Sequence, residues 1–175
     1  MSFNVDKFKQ NLKGEGARNT LFEVQITGGP SSLEGMLFLC KAASLPASTI
    51  GMIEVPYFGR KIKVAGDRTF ADWTTTIINL EDFAIRDGLM DWMNQINTHE
   101  ANTRTLSDYK QATAIVKQYK KDGTDARTYN LFNCWPAEVA AIDVDWNNTD
   151  TIEDFTVTWH YDWWTSDSSS VTDRA

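Results

Sequence analysis

The sequence predicts a mainly β protein with one flanking α-helix, arranged as an antiparallel fold in one domain. Most segments alternate apolar and polar residues with the period of two that is typical of strands with one buried face. Residues 82–97 carry a helical stripe instead, and clusters of glycine and polar residues separate the segments. A length of 175 residues suits a single domain. We expect an N-terminal segment over residues 1–18, the domain over 19–165 and a disordered tail over 166–175.

Four strands are predicted in the first half of the chain. Asn19–Thr27 alternates cleanly, and after the turn cluster at 28–32 the apolar run Met36–Ala42 is expected to return as its hairpin partner. Lys61–Ala65 alternates again, and Asp72–Leu80 is rich in β-branched residues, which favour strands. The first half therefore reads as β structure.

One amphipathic helix is predicted near residues 82–97. Its apolar residues recur at spacings of three and four, which puts them on one helical face; they are Ile85, Leu89, Trp92, Met93 and Ile96. Glu81 and Asp82 are interpreted as carboxylates at the start of this helix. The polar stretch 98–108 is expected to be a loop.

The second half returns to strands. Gln111–Tyr119 and Thr128–Cys134 flank a turn at 120–123, and Pro136 is expected to interrupt pairing. Residues 142–146 and 155–163 alternate in the same manner, with 147–151 predicted to close them into a C-terminal hairpin. Such a hairpin would have one dry face and one wet face.

The segment Ser44–Arg60 does not fit a lone domain. It contains two prolines and two glycines, which disfavour a central strand, and six large apolar residues between positions 50 and 58, which disfavour a solvated loop. One interpretation is an edge strand that packs on its own core. The other is an arm that docks on a neighbouring subunit, because a connector this long is uncommon in a compact domain unless it has a function.

Composition and motifs exclude several classes of function. Seventeen basic against twenty-four acidic residues give a net charge of −7, which disfavours a nucleic-acid grip. Cys40 and Cys134 lie too far apart in sequence for a zinc module, and we expect both thiols to be buried and unreactive. No apolar stretch has the length of a signal sequence or a membrane span.

No catalytic constellation is found, so we expect neither an enzyme nor a cofactor. His99 and His160 have no nucleophile with a recognisable signature beside them. The pattern Asp143-x-Asp145-x-Asn147 has a weak likeness to a calcium loop, but strand alternation explains it better because the required glycine and terminal glutamate are missing.

The run Arg60–Phe70 (RKIKVAGDRTF), followed by Asp72-Trp73, closely resembles the tail tube proteins of contractile-tailed, T4-like bacteriophages. The likeness spans about residues 19–164. Shorter matches support it, at Leu21–Val24, Cys40–Ala42, Leu45–Ala47, Asp91-Trp92, Trp135-Pro136, Asp145-Trp146 and Phe155–Thr158.

This resemblance implies a β-sandwich or barrel-like monomer that assembles as hexameric rings, stacked into the inner tube through which DNA passes. Ala47–Arg60 would be the extended loop that contacts neighbouring subunits. The interface residues so implied are Ile50, Met52, Ile53, Val55, Tyr57, Phe58 and Arg60. Other implied partners are the tail sheath, the baseplate tube initiator and the tail terminator, with no membrane insertion. The protein would belong to the virion and assemble in the host cytoplasm.

Six subunits with a net charge of −7 each would give a ring a net charge of about −42. Acidic residues facing the lumen would keep DNA from adhering to the wall. Our candidates for the lumen are Asp143, Asp145, Asp154 and Asp162, on the wet faces of the predicted C-terminal hairpin. The sequence equally permits these four residues on the outer surface of the tube.

Two alternatives remain open. One is the tube subunit of a type VI secretion or extracellular contractile injection system, which shares the architecture. The other is a carbohydrate-binding β-sandwich with Trp159, Trp163 and Trp164 as an exposed platform, which alternation disfavours because it places Trp159 and Trp163 on an apolar face.

Overall fold

The computed structural model describes residues 5–12, 16–29, 33, 36–104 and 109–167. The expected mainly antiparallel β fold is confirmed, with one long helix beside it. The elements in chain order are α1 Val5–Asn11, β1 Phe22–Thr27, α2 Met36–Leu39, β2 Cys40–Ala43, β3 Thr49–Tyr57, β4 Arg60–Thr69, β5 Trp73–Ile78, α3 Ala84–Ile96, β6 Ala112–Tyr119, β7 Asp125–Val139, β8 Asp154–His160 and β9 Trp163–Ser166.

Seven strands form one antiparallel sheet in the order β1-β6-β7-β8-β5-β2, with β9 as an additional partner of β7. In the described structure, β3 and β4 pair only with each other and form a separate two-stranded sheet. The chain leaves the main sheet after β2 and returns to it at β5. Everything between these two strands is therefore a long excursion from the body of the subunit.

The core lies between the main sheet and α3, and three indole rings occupy its centre. The ring centroid of Trp159 lies 6.2 Å from the ring centroid of Trp73 and 6.2 Å from that of Trp92. Its Nε1 donates a hydrogen bond of 3.0 Å to Thr75 Oγ1, so the buried N–H of this ring is satisfied. The predicted helix is confirmed as α3, and Asp82 accepts a bond from the Ala84 N–H at its start.

The long strand β7 joins the two halves of the sheet. Its first half lies between β6 and β9, and its second half pairs with β8. Asn133 stands between these halves with a φ of 61° and forms a bulge opposite β6. Pro136 does not end the strand, contrary to expectation, because it sits opposite Trp159 beside a second register shift, where a missing N–H is tolerated.

Asp162 holds the corner where β8 gives way to β9. Its backbone N–H donates to Phe132 O at 3.1 Å, and its carboxylate accepts from Asn133 Nδ2 at 2.8 Å and from Lys110 Nζ at 3.1 Å. The bond from Asn133 and the ammonium of Lys110 lower the pKa of this carboxyl below its usual value. The bulge and the corner therefore depend on an ionised Asp162.

The first hairpin predicted from sequence is wrong. Met36–Ala42 is not a returning strand, because Met36–Leu39 forms the short helix α2 and Cys40–Ala43 forms β2. Strand β2 pairs with β5 rather than with β1. An apolar run this short has no period that distinguishes a strand from a buried helical turn. Residues 30–32, 34 and 35 of the predicted hairpin tip lie outside the described part of the chain.

The C-terminal hairpin is also wrong in its first strand. Residues 140–153 connect β7 to β8 without forming a strand, and Val144 and Trp146 are 84% and 101% exposed. The second strand breaks after His160, and β9 pairs with β7 instead of continuing β8. Alternation in 142–146 therefore does not report pairing. The predicted disordered tail is wrong at its start, because the buried Ser166 ends β9 and the Asp167 N–H donates to Thr128 O. From residue 168 onward, the predicted tail lies outside the described residues.

Replacing Trp159 by alanine should lower the free energy of unfolding of the monomer by about 3–5 kcal/mol, because a fully buried ring leaves a cavity. Urea unfolding followed by circular dichroism measures this. Trp146→Ala is the matched control and should change stability by less than about 0.5 kcal/mol, since its side chain contacts solvent. Equal losses in both variants would contradict the assigned core.

Acid should weaken the corner at Asp162. The folded-state pKa lies below the unfolded value, so the stabilisation is present above the unfolded pKa near 3.9 and is lost as pH falls through the folded pKa. Asp162→Asn should be less stable than wild type at pH 7 by up to about 1 kcal/mol, since solvent screens a carboxylate that is over one-third exposed. The difference should shrink as the pH falls below about 3.9, and a difference that stays constant down to low pH would refute the assignment.

Candidate subunit interface

The excursion between β2 and β5 projects a β-hairpin that the described residues of its own subunit leave uncovered. We call residues 49–69, which comprise β3, its turn and β4, the arm. Every residue of β3 is exposed, and so is every residue of β4 except Gly66. The interpretation of this segment as an edge strand packed on its own core is therefore wrong.

The arm is amphipathic across its two strands. Residues paired directly opposite each other in an antiparallel ladder share one face. One face carries Ile53 and Val55 of β3 opposite Val64 and Ile62 of β4, and Tyr57 lies opposite Arg60. The apolar members of this face are each about half exposed, between 45% and 62%.

The opposite face of the arm is charged. Glu54 lies opposite Lys63, Pro56 opposite Lys61 and Met52 opposite Ala65. Lys61 Nζ and Glu54 Oε2 form an ion pair of 2.6 Å on this face. An apolar face backed by a charged one is the usual pattern of a ribbon that packs on one side only.

The predicted interface residues are distributed over both faces of the arm. Ile53, Val55 and Tyr57 share the apolar face as a group, whereas Met52 points to the charged face. Ile62 and Val64 complete the apolar face and were missed, because sequence reading treated β4 as a separate strand. The alternation of KIKVA was the signal that could have assigned them.

The tip of the arm is strained and exposed. Phe58 and Gly59 have φ values of 42° and 80°, the positive values that a two-residue type I′ hairpin turn requires. This conformation costs a residue with a side chain about 1–2 kcal/mol. Phe58 is nevertheless 92% exposed. Its ring packs edge-on against the ring of Tyr57, with 4.7 Å between the two ring centroids. A strained, exposed phenyl ring at a hairpin tip points to a function outside the monomer.

The base of the arm is fixed to the body by aromatic side chains. Trp73 Nε1 donates to Ser44 O at 2.7 Å, and Trp164 Nε1 donates to Ala47 O at 3.3 Å. On the returning side, the rings of Phe70 and Tyr161 lie 6.0 Å apart. These contacts fix the direction in which the chain leaves the sheet.

A glycine pair shapes the arm just above its base. The register shifts between Ile50 and Met52, so Gly51 lies against the stretch that contains Gly66. A Cβ at position 66 would lie 3.2 Å from the Gly51 backbone, and one at position 51 would lie 3.3 Å from Asp67 O. This close backbone approach favours glycine, because an added Cβ would have to push the neighbouring strand away by a few tenths of an ångström.

The four aspartates predicted to face the lumen do not form one group. Asp143 and Asp145 lie in the 140–153 connection, where Asp145 accepts the Asn147 N–H in a turn. Asp154 is ion-paired to Lys41, and Asp162 holds the β8–β9 corner. The hairpin that would have presented all four together does not form.

Other polar and reactive groups serve local structure. Burial raises the pKa of both the Cys40 and the Cys134 thiol to about 11, so neither is a ready nucleophile. His160 Nδ1 lies 2.7 Å from Asp72 Oδ1, and neither a serine hydroxyl nor a cysteine thiol takes part in this contact. Tyr119 donates its hydroxyl to Glu23, which raises the tyrosine pKa to about 12.

The described residues contain neither a metal-binding cluster nor a membrane-spanning helix. No group of three His, Cys, Asp or Glu side chains there is placed to hold a metal ion. Among the helices described, none is long and apolar enough to cross a membrane. The carbohydrate platform is wrong on geometry, because Trp159 is fully buried and Trp163 stacks on Phe132 at 5.7 Å.

Comparison with known proteins agrees with this geometry. A sequence profile described as phage tail tube protein matches residues 3–167. The tail tube protein gp19 of Enterobacteria phage T4 is 38% identical over 156 residues, which cover 86% of this chain and 92% of that relative.

Solved structures share the fold at lower identity. The sheath-tube complex of the PVC extracellular contractile injection system in its extended state contains a chain that is 18% identical, with a TM-score of 0.64 and coverage of 90% of this chain and 95% of that one. A chain of the sheath/tube terminator of the same system, also in the extended state, is 17% identical, with a TM-score of 0.65. The match covers 86% of this chain and 96% of that one. The profile match and the T4 relative both cover most of the sequence, and the chain belongs to the phage tail tube protein family.

Proposed function

We propose that this protein polymerises as stacked hexameric rings into the inner tube of a contractile phage tail, the conduit for DNA ejection. Membership of the tail tube family supports the structural role. The observation that carries the proposal is the unpartnered apolar face of the arm, which a copy of the same chain would cover. A subunit of this kind acts as a building block of the virion rather than as an enzyme.

The arm has enough apolar surface to contribute substantially to assembly. Five side chains on its apolar face are about half exposed, and full burial of such side chains is worth roughly 1.5–3 kcal/mol each, so covering them contributes about 4–8 kcal/mol. Because the hairpin is already formed and its base is fixed, less conformational entropy is lost on docking than for a disordered loop. We assign Ile53, Val55, Tyr57, Phe58, Ile62 and Val64 to this contact.

The interface must be heterologous, since a stack grows only when one surface of a subunit fits a different surface of the next. Covering the arm would also remove an exposed two-stranded edge, which is a liability in a free subunit. As further partners we propose the tail sheath, a baseplate tube initiator and a tail terminator, with assembly in the host cytoplasm. We propose residues 19–165 as the single structural domain of each subunit.

The second candidate is a tube subunit of an extracellular contractile injection system or a type VI secretion system, which carries protein. The PVC structures favour it only through their fold, at 17–18% identity. The 38% identity to the T4 tail tube protein favours the phage tube. Genes for capsid and DNA packaging beside this one would decide for the phage tail, and effector genes would decide for the injection system.

The lumen is proposed to repel DNA. A hexameric ring would carry a formal charge of about −42, and phosphate contacts that hold DNA need basic side chains. The residues that we predict to carry part of this charge into the lumen are Asp143, Asp145, Asp154 and Asp162. Net charge is the support for the proposal, because these aspartates do not share one surface of the monomer.

Assembled tubes should therefore bind duplex DNA weakly even at low ionic strength. The measurement is sedimentation of labelled duplex DNA with purified tubes in about 20 mM salt, where electrostatic binding is strongest. Unassembled protein at the same subunit concentration is the control. Co-sedimentation of most of the DNA at micromolar tube concentration would overturn the repulsive lumen.

A charge on the apolar face of the arm should block growth of tubes. We expect Ile53→Asp to leave a folded monomer, because the residue is 54% exposed, but to prevent elongation from short wild-type tubes, because docking would bury an unpaired carboxylate. Electron microscopy of seeded reactions measures tube length. The matched control is Pro56→Asp, which adds the same charge to the charged face and should elongate. Normal elongation by Ile53→Asp would refute the docking role.

A further inference from the structure

A second surface of the monomer combines exposed apolar side chains with a strong charge. It is the connection between β7 and β8, residues 140–153, which we call the acidic loop. Val144, Trp146 and Ile152 are 84%, 101% and 71% exposed there. Trp146 contacts nothing that shields it from solvent, although a large indole is among the most favourable residues to bury at an interface. A patch of this kind marks an interaction site.

The charges of the acidic loop and of the arm are complementary. The loop contains four acidic residues and no lysine or arginine; they are Asp143, Asp145, Asp150 and Glu153. The arm contains four basic residues against two acidic ones, a formal charge of +2 in a chain whose total is −7; the basic residues are Arg60, Lys61, Lys63 and Arg68. Complementary charge selects a partner and fixes its register.

The two surfaces leave the subunit at opposite ends of the same strand pair. Strand β5 runs antiparallel to β8, with Trp73 opposite Trp159 and Ile78 opposite Asp154. The arm is anchored at the Trp73 end through Ser44, whereas the acidic loop enters β8 at Asp154. Five residue steps of about 3.4 Å separate these ends by about 17 Å. Contact between arm and loop is therefore directed to another copy, head to tail.

From this arrangement we infer that the arm of one subunit docks on the acidic loop of the next copy in the stack. The apolar face around Ile53 and Phe58 covers Trp146 and its apolar neighbours, and Arg60, which shares that face opposite Tyr57, meets the carboxylates of Asp143 and Asp150. The inference rests on the proposed polymerisation and names the surface that receives the arm. It assigns Asp143 to a contact between copies instead of to the lumen.

Charge reversal in both surfaces tests this inference. The loop variant is Asp143→Lys with Asp150→Lys, and the arm variant is Arg60→Glu, on the apolar face. Each variant alone should raise the critical concentration for elongation from wild-type seeds by about tenfold or more. The two variants combined in one chain, seeded with their own short tubes, should return it to within about threefold of wild type. Light scattering at a series of subunit concentrations measures this.

The matched control for the loop variant is Asp91→Lys with Glu100→Lys, which makes the same change in net charge at two exposed positions outside both surfaces. It should elongate as wild type does. Circular dichroism and thermal unfolding of each monomer verify the fold. If the combined variant is no better than the worse of its two parents, or if the loop variant elongates normally, the loop serves a different partner and the inference is overturned.

Trp146→Ala provides an independent test. The substitution should not disturb folding, because the side chain is fully exposed in the monomer. It should reduce elongation by about tenfold or more, as expected for a central aromatic anchor. Elongation at the wild-type rate would overturn the inference. If Ile53→Asp blocks tubes while the reversed charges fail to compensate, the proposed polymerisation stands and only the receiving surface is wrong. Normal elongation by Ile53→Asp refutes the docking role of the arm and with it this inference, while the proposed polymerisation stands.

Discussion

A two-stranded ribbon with alternating residues always has two faces, and among the described residues of this protein none outside the ribbon covers the apolar one. The main sheet has the same alternation, but its apolar face packs against α3 and excludes water. In the arm, the face formed by Ile53, Val55, Ile62 and Val64 remains half exposed. The monomer is therefore a stable body with an incomplete appendage, and completing it requires a second chain. This constraint makes assembly the natural state of the subunit.

The tryptophans connect the body to this appendage. Trp159 and Trp92 lie within the core, where Thr75 satisfies the Trp159 N–H. Trp73 and Trp164 also donate to backbone carbonyls between β2 and β3, so the same rings that fill the protein fix the base of the arm. An isolated hairpin is marginally stable in water, and an anchored one presents its apolar face in a defined direction. The high aromatic content thus serves both stability and recognition.

Charge is distributed unevenly over the chain. Like-charged subunits repel, so a net charge of −7 opposes premature association of free monomers. The arm has the opposite sign, and the acidic loop concentrates the negative charge at the other end of the β5–β8 pair. A repulsive body with attractive ends favours ordered head-to-tail contacts over random aggregation. Such contacts do not close on themselves, which is the geometric requirement for a cylinder that grows.

The sequence by itself determined the fold class, helix α3 and most strands of the main sheet, because these follow from local period. It also marked residues 44–60, by their composition, as an apolar segment that does not fit a lone domain. It failed at Met36–Leu39 and at residues 140–153. Whether a short apolar run is helix or strand, and whether an alternating run finds a partner, depends on distant chain segments. Only tertiary structure decided that Ile62 and Val64 share a face with Ile53 and Val55, since register is a property of pairing. It alone separated the four aspartates, since their surroundings come from Lys41, Lys110 and Asn133, which no local pattern places beside them.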